Sequence, residues 1–231
     1  MNIFDVHIKN GEVIDGTGAP KFKSDIVIDK GKIIGVFPAE NGDVRDPSEN
    51  HFLSNFKAKH TINAENKIIS PGFIDVHTHD DDNVFLDPSM SSKISQGVTT
   101  CVAGNCGISL APFSYKGEVP APIALLGKSE VFRFPRVSDY KEEFNNKPSS
   151  VNLALLTGHS MLRVEAMNGE FARPATTKEI SKMVDKLKLA LEDGSIGLST
   201  GLAYPAANDA PTSEIIELAK ILPEFDGIFT T

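Results

Sequence analysis

The chain of 231 residues has 40% hydrophobic and 23% charged residues and a formal charge of −8, so it can bury a sizeable core. No Lys/Arg block interrupts the acidic balance, which argues against a nucleic-acid backbone or an anionic membrane surface as the main partner. The start, Met1-Asn2-Ile3-Phe4-Asp5, lacks an export-signal pattern and no apolar run nears the roughly 18 residues of a membrane span, so a cytoplasmic location is expected.

Residues 4–37 read as short strands with tight turns. Asp5–Lys9 and Glu12–Ile14 flank Asn10-Gly11, the strongest short hairpin signal, and Asp25–Asp29 turns at Lys30-Gly31 into Ile33–Val36. A small antiparallel β module is expected over residues 1–65. Within it, residues 37–60 become polar, with Pro38 and Pro47, and read as a surface loop or insertion.

From residue 61 short apolar runs alternate with helix-length segments. Thr61–Ile69 leads into Pro71-Gly72-Phe73-Ile74-Asp75-Val76-His77-Thr78-His79-Asp80, then a short helix over 88–96 and a strand over Val98–Ala103. Residues 111–135 read as a long Pro-rich loop, 139–145 as a short helix and Val151–Thr157 as a buried strand. The capping-box spacing Thr176-x-x-Glu179 opens a helix whose apolar stripe is Ile180, Met183, Val184, Leu187 and Leu191, and Gly194 stops it. A strand over 196–199, a helix over 213–222 capped by Thr212, and a fifth apolar run over 227–231 complete the pattern. Such alternation predicts βαβ units and a parallel sheet over 66–231.

Alternation along a strand puts Asp75, His77 and His79 on one face, so two imidazoles stand together at a strand's C-terminal end. They form either an exposed strand end or half of a metal site. Cys106, flanked by Asn105 and Gly107, follows the next strand, and a thiolate there is a soft ligand suited to zinc. Cys101 reads as core filler; two cysteines are too few for a disulfide framework. His159 follows the third strand and is either a reactive group or a histidine bonded to backbone.

Four stretches carry a resemblance: residues 71–81, Gln-Gly-Val-Thr-Thr at 96–100, Gly-Asn-Cys-Gly-Ile-Ser-Leu-Ala-Pro at 104–112 and Gly-Leu-Ser-Thr-Gly-Leu-Ala-Tyr-Pro at 197–205. Together they resemble the D-aminoacylase (N-acyl-D-amino-acid deacylase) branch of the amidohydrolase superfamily. The resemblance implies a TIM-like β/α barrel preceded by a small β-sandwich, and zinc held by His77, His79 and Cys106. Here Cys106 replaces the carboxylated lysine of other amidohydrolases. It also implies that Tyr204 lines the substrate pocket, with His159 in a further family-like segment and assigned to substrate binding. The implied reaction is hydrolysis of an N-acyl-D-amino acid. Two other readings remain: a cyclic amidase of the dihydroorotase or hydantoinase kind, and a non-catalytic metal-binding fragment. Against the branch's pattern the chain is short. The barrel is expected to be incomplete, at about five strands, with two further histidine ligands and the general-base aspartate beyond Thr231. On this expectation the sequence is a fragment or truncated frame, inactive alone, or a second polypeptide supplies the remainder.

Overall fold

The computed structural model describes residues 2–38, 56–116, 119–121 and 123–231, and the chain divides into two compact units, Met1–Pro71 and Gly72–Thr231. The first unit is a five-stranded sheet of β1 (Asn2–Val13), β2 (Phe22–Asp29), β3 (Lys32–Pro38), β4 (Phe56–Asn63) and β5 (Ile68–Ile69). The strands run β3-β2-β1-β4, with β5 also on β1. Pairs β1–β2 and β2–β3 are antiparallel, but β4 and β5 lie parallel to β1. The sheet is therefore mixed rather than antiparallel throughout.

Two expectations for this unit change. Asn10-Gly11 does not turn a hairpin but lies within β1, where the register shifts between Ile8 and Gly11. Asn10 has φ 66°, and its N–H donates to Asp25 Oδ1 at 3.0 Å. The left-handed residue is thus absorbed as a β-bulge, because the strand continues to pair with β2 on both sides of it. Of the polar stretch expected over 37–60, residues 39–55 lie outside the described residues, whereas 56–60 begin β4. The Lys30-Gly31 turn does join β2 to β3, and Val13, Ile26, Val27 and Ala64 are buried in this unit.

In the second unit, β6 (Phe73–Asp75) is followed by two single-turn helices, α1 (Asn83–Leu86) and α2 (Ser91–Ile94), and then by β7 (Val98–Ala103). The region expected to be loop over 111–135 contains a small antiparallel pair, β8 (Phe113–Ser114) with β9 (Arg133–Phe134), and short 3-10 turns. Helix α3 (Val137–Asn146) leads to β10 (Asn152–Leu155) and β11 (Thr157–Gly158). Then come α4 (His159–Ala166), α5 (Thr177–Glu192), β12 (Gly197–Ser199), α6 (Thr212–Ala219) and β13 (Ile228–Thr230). Among the described residues no helix is long and apolar enough to cross a membrane.

All pairs among these longer passes are parallel. β7 lies between β6 and β10, and β12 lies between β11 and β13. Only Leu156 separates β10 from β11, and its N–H donates to Ala103 O at 2.9 Å, so the third pass bridges the two groups. Five parallel passes therefore follow one another in chain order. Phe113, Phe132, Phe134, Tyr140 and Met161 belong to the larger buried cluster packed around the second and third passes.

Helix α5 shows how local sequence sets this packing. The Thr176 hydroxyl accepts from Glu179 N–H, and Glu179 Oε2 accepts from Thr176 N–H at 2.8 Å, closing the expected capping box. Met183, Leu187 and Leu191 are buried along one face, against Leu162, Leu198, Leu218 and Leu222. Truncating Leu187 to Ala in this cluster costs about 2–5 kcal/mol. Helix α6 starts at Thr212 itself, with Pro211 as its N-cap, one position earlier than expected.

Candidate metal centre

The candidate site gathers beyond the C-terminal ends of the first two passes. β6 stops at Asp75, so the two histidines lie just past the strand rather than within it. What replaces ladder pairing is Thr78, which is buried and donates both its N–H and its Oγ1–H to Val102 O at 3.1 Å each. With Thr78 fixed inward, His77 and His79 flank it, their ring centroids 6.0 Å apart. Lys93 braces this segment from the side, pairing with Asp75 at 2.7 Å and Asp80 at 3.0 Å. Burial opposes its charge, but the two carboxylates push Lys93 up to about 12.

His77 Nε2 is 3.0 Å from Cys106 Sγ, and one ligand-type atom from each of His77, His79 and Cys106 lies within 4.8 Å of the others. His79 Nδ1 is buried without a hydrogen-bond partner among the described residues. Burial first, and then the neighbouring His77, hold the His79 imidazole below its ordinary pKa, which favours the neutral form that ligates metals. Two imidazole nitrogens, one of them otherwise orphaned, and a sulfur form a donor set that suits zinc. The residues present therefore fit such an ion.

Cys106 sits in a turn that leaves its backbone little choice, with φ 56°. Gly104 N–H donates to Asp81 Oδ2 at 3.3 Å, and Leu110 N–H donates to Oδ1 of the same carboxylate at 3.2 Å. The Asn105 amide donates to Val102 O at 2.9 Å and Val76 O at 3.4 Å, tying the turn to both histidine-bearing and cysteine-bearing segments. Asn105 O accepts from Ile108 N–H, and Gly107 O from Ser160 N–H. Gly107 N–H donates to Ser199 Oγ, whose own hydroxyl donates to Gly104 O. Cys101, by contrast, is fully buried in the core, as its place in β7 suggested.

Tyr204 lies against this turn, with its phenol near Cys106. Proximity to the ionisable thiol, and then burial, raise the phenol above its ordinary value. His159 is placed differently. It opens α4, is fully buried, and its Nε2–H donates to Glu214 Oε1 at 2.9 Å. Arg163 also bonds Glu214, with 2.6 Å to Oε2, and donates to Ala206 O and Arg173 O. These three side chains form a closed ionic cluster: Arg163 supplies the positive charge, while burial holds His159 below its ordinary pKa. His159 thus bonds Glu214 through Nε2 in the interior, while its Nδ1 is buried without a hydrogen-bond partner among the described residues.

Asp81, Asn105 and Ser199 shape the site but were not singled out by sequence. Asp81 and Asn105 stood inside the motifs already noted. Ser199 stood inside the 197–205 motif too, but that motif gives no sign of its partners Gly107 and Gly104, 92 and 95 residues away.

A family model described as "Amidohydrolase family" matches residues 60–222. A D-aminoacylase of Alcaligenes xylosoxydans xylosoxydans is 40% identical over 229 residues, which cover 99% of this chain and 44% of the relative. A solved N-acyl-D-glutamate deacylase of Bordetella bronchiseptica, complexed with zinc and a phosphonate mimic of the tetrahedral intermediate, is 37% identical with TM-score 0.87. The match covers 99% of this chain and 45% of that one. A D-aminoacylase structure concerned with a binuclear metal centre is 43% identical with TM-score 0.87, over 99% of this chain and 45% of that one. The chain thus spans under half the length of these relatives.

Proposed function

The chain belongs to the amidohydrolase family, and we propose that the intact protein hydrolyses the amide bond of N-acyl-D-amino acids, releasing a carboxylate and a free D-amino acid. The observation that carries this reading is the convergence of His77, His79 and Cys106 within 4.8 Å, in a chain 40% identical to a D-aminoacylase. On this reading the five parallel passes are the first part of a TIM-like barrel, and the sheet of the first unit is one layer of a small β-sandwich.

His77, His79 and Cys106 would hold one zinc ion. When bound, the ion supplies Lewis acidity toward the scissile carbonyl and makes water available as a nucleophile near neutral pH. The residues of this chain do the positioning. His79 enters as a neutral imidazole, on a segment that the bonds of Thr78 to Val102 O hold in place. Asn105 and Asp81 hold the Cys106 turn against the histidine segment, so the ligands are arranged before substrate arrives. Tyr204 presents a hydroxyl beside Cys106, where it can donate to a substrate oxygen. No general base is assigned among these residues.

The test is kcat/KM of the intact, zinc-loaded protein on N-acetyl-D-methionine, its L-enantiomer and dihydroorotate. The D-form is expected to turn over fastest. Faster turnover of dihydroorotate would move the protein to a cyclic amidase.

A further inference from the structure

We propose that Ser199 is the positioning residue for Cys106, clamping both ends of the Gly104–Gly107 turn so that the thiol is held toward the histidines. The proposal rests on the reading of Cys106 as a metal ligand and names what sets its geometry. Ser199 is the last residue of β12 and is fully buried. Its backbone is fixed from both sides, paired with Gly158 on β11 and with Thr230 on β13. From that anchor its hydroxyl accepts from Gly107 N–H at 3.0 Å and donates to Gly104 O. One rotor therefore uses both its donor and its acceptor on the same four-residue turn. The two bonds bracket Cys106.

The bracket matters because Cys106 is a non-glycine residue at φ 56°, in a region such residues populate sparsely. A backbone of this kind persists only where its surroundings over-determine it. Asp81, Val102 O and Ser160 N–H fix Gly104 N–H, the Asn105 side chain and Gly107 O, respectively. Among the described residues Ser199 is the partner of both Gly104 O and Gly107 N–H. Removing its hydroxyl leaves a buried carbonyl and a buried N–H without partners on either side of the thiol, and the turn is free to relax away from them. The effect on metal binding should then pass through Cys106 alone.

The experiment is a double-mutant cycle on the intact protein, with zinc dissociation constants from chelator competition for wild type, Ser199→Ala, Cys106→Ala and the double variant. Amide hydrogen exchange at Gly107 is measured on the metal-free forms. The expected result is an approximately tenfold or greater weakening of zinc binding in Ser199→Ala, the range found for residues that orient ligands. Gly107 should lose protection, and Ser199→Ala should weaken binding no further once Cys106 is absent. If Ser199→Ala does not fold, Ser199→Cys, whose slightly larger thiol fills the site and weakens both bonds, gives the same comparison. Unchanged zinc affinity in the Ser199 variant, with a large loss in Cys106→Ala, would overturn this role while leaving Cys106 as ligand. Equal losses from Ser199→Ala in both backgrounds would mean general loosening and also overturn it. Unchanged affinity in Cys106→Ala would remove the underlying reading itself.

Discussion

His77 Nε2 and Cys106 Sγ lie 3.0 Å apart although 29 residues of chain separate them. The contact exists because two strand-end segments are tied together by Val102 O, which accepts from Thr78 on one side and from Asn105 on the other. A thiol and an imidazole brought together this way, with a second imidazole close by, form a preorganised ligand set.

Asp81 should give the fold a pH dependence of defined sign. Burial pushes its carboxyl from an ordinary 3.8 up to about 7, against backbone hydrogen bonds from Gly104 and Leu110 that favour the ionised form. Between those values the unfolded chain loses the proton and the folded chain keeps it. Its contribution is therefore fully present below about pH 4 and is lost as pH rises toward 7, by up to about 1.4 kcal/mol per pH unit. Urea unfolding of wild type and Asp81→Asn, followed from about pH 4 to about pH 8, tests this. The stability difference between them should change across that window, and parallel pH profiles would contradict the assignment.

Glu214→Gln should be strongly destabilising, by about 3–5 kcal/mol, because it leaves Arg163 buried without its carboxylate. Arg163 and Glu214 are both fully buried, and Arg163 also holds Ala206 O, two residues beyond Tyr204. Faster hydrogen exchange over 204–207 should accompany the lower urea midpoint. A variant within about 0.5 kcal/mol of wild type would mean that the cluster is energetically neutral.

Gly104→Ala should cost more stability than Gly169→Ala. Both glycines have positive φ, 78° and 83°, so alanine is strained at either. At Gly104 the added Cβ would also lie 2.1 Å from Leu156 O, whereas at Gly169 it meets nothing within 4 Å. Strain alone is worth about 1 kcal/mol, and the backbone clash adds to it at Gly104. Thermal unfolding of the two variants side by side checks the order, and equal losses would contradict it.

Much of this was legible in the sequence where local patterns decide structure. The capping box at Thr176 and Glu179, the stripe through Met183, Leu187 and Leu191, and the β7 run are local signals that tertiary packing reinforces. Asn10-Gly11 misled because a left-handed residue serves a bulge as well as a turn, and the choice was made by pairing with β2. The histidines and Cys106 could be picked out as ligand types, but not their distance. The cluster of His159, Arg163 and Glu214 was invisible, since Arg163 and Glu214 are 51 residues apart with ordinary helical neighbours. Ser199 was likewise hidden, because a serine at a strand end carries no sign of what its hydroxyl reaches.

The most direct test of the account is X-ray absorption at the zinc edge on the intact, zinc-loaded protein and on Cys106→Ala. The wild type should show one sulfur at about 2.3 Å together with nitrogen or oxygen ligands at about 2.0–2.1 Å, and the sulfur shell should vanish in the variant. A wild-type spectrum with only nitrogen and oxygen around zinc, or a sulfur shell that survives the loss of Cys106, would contradict it.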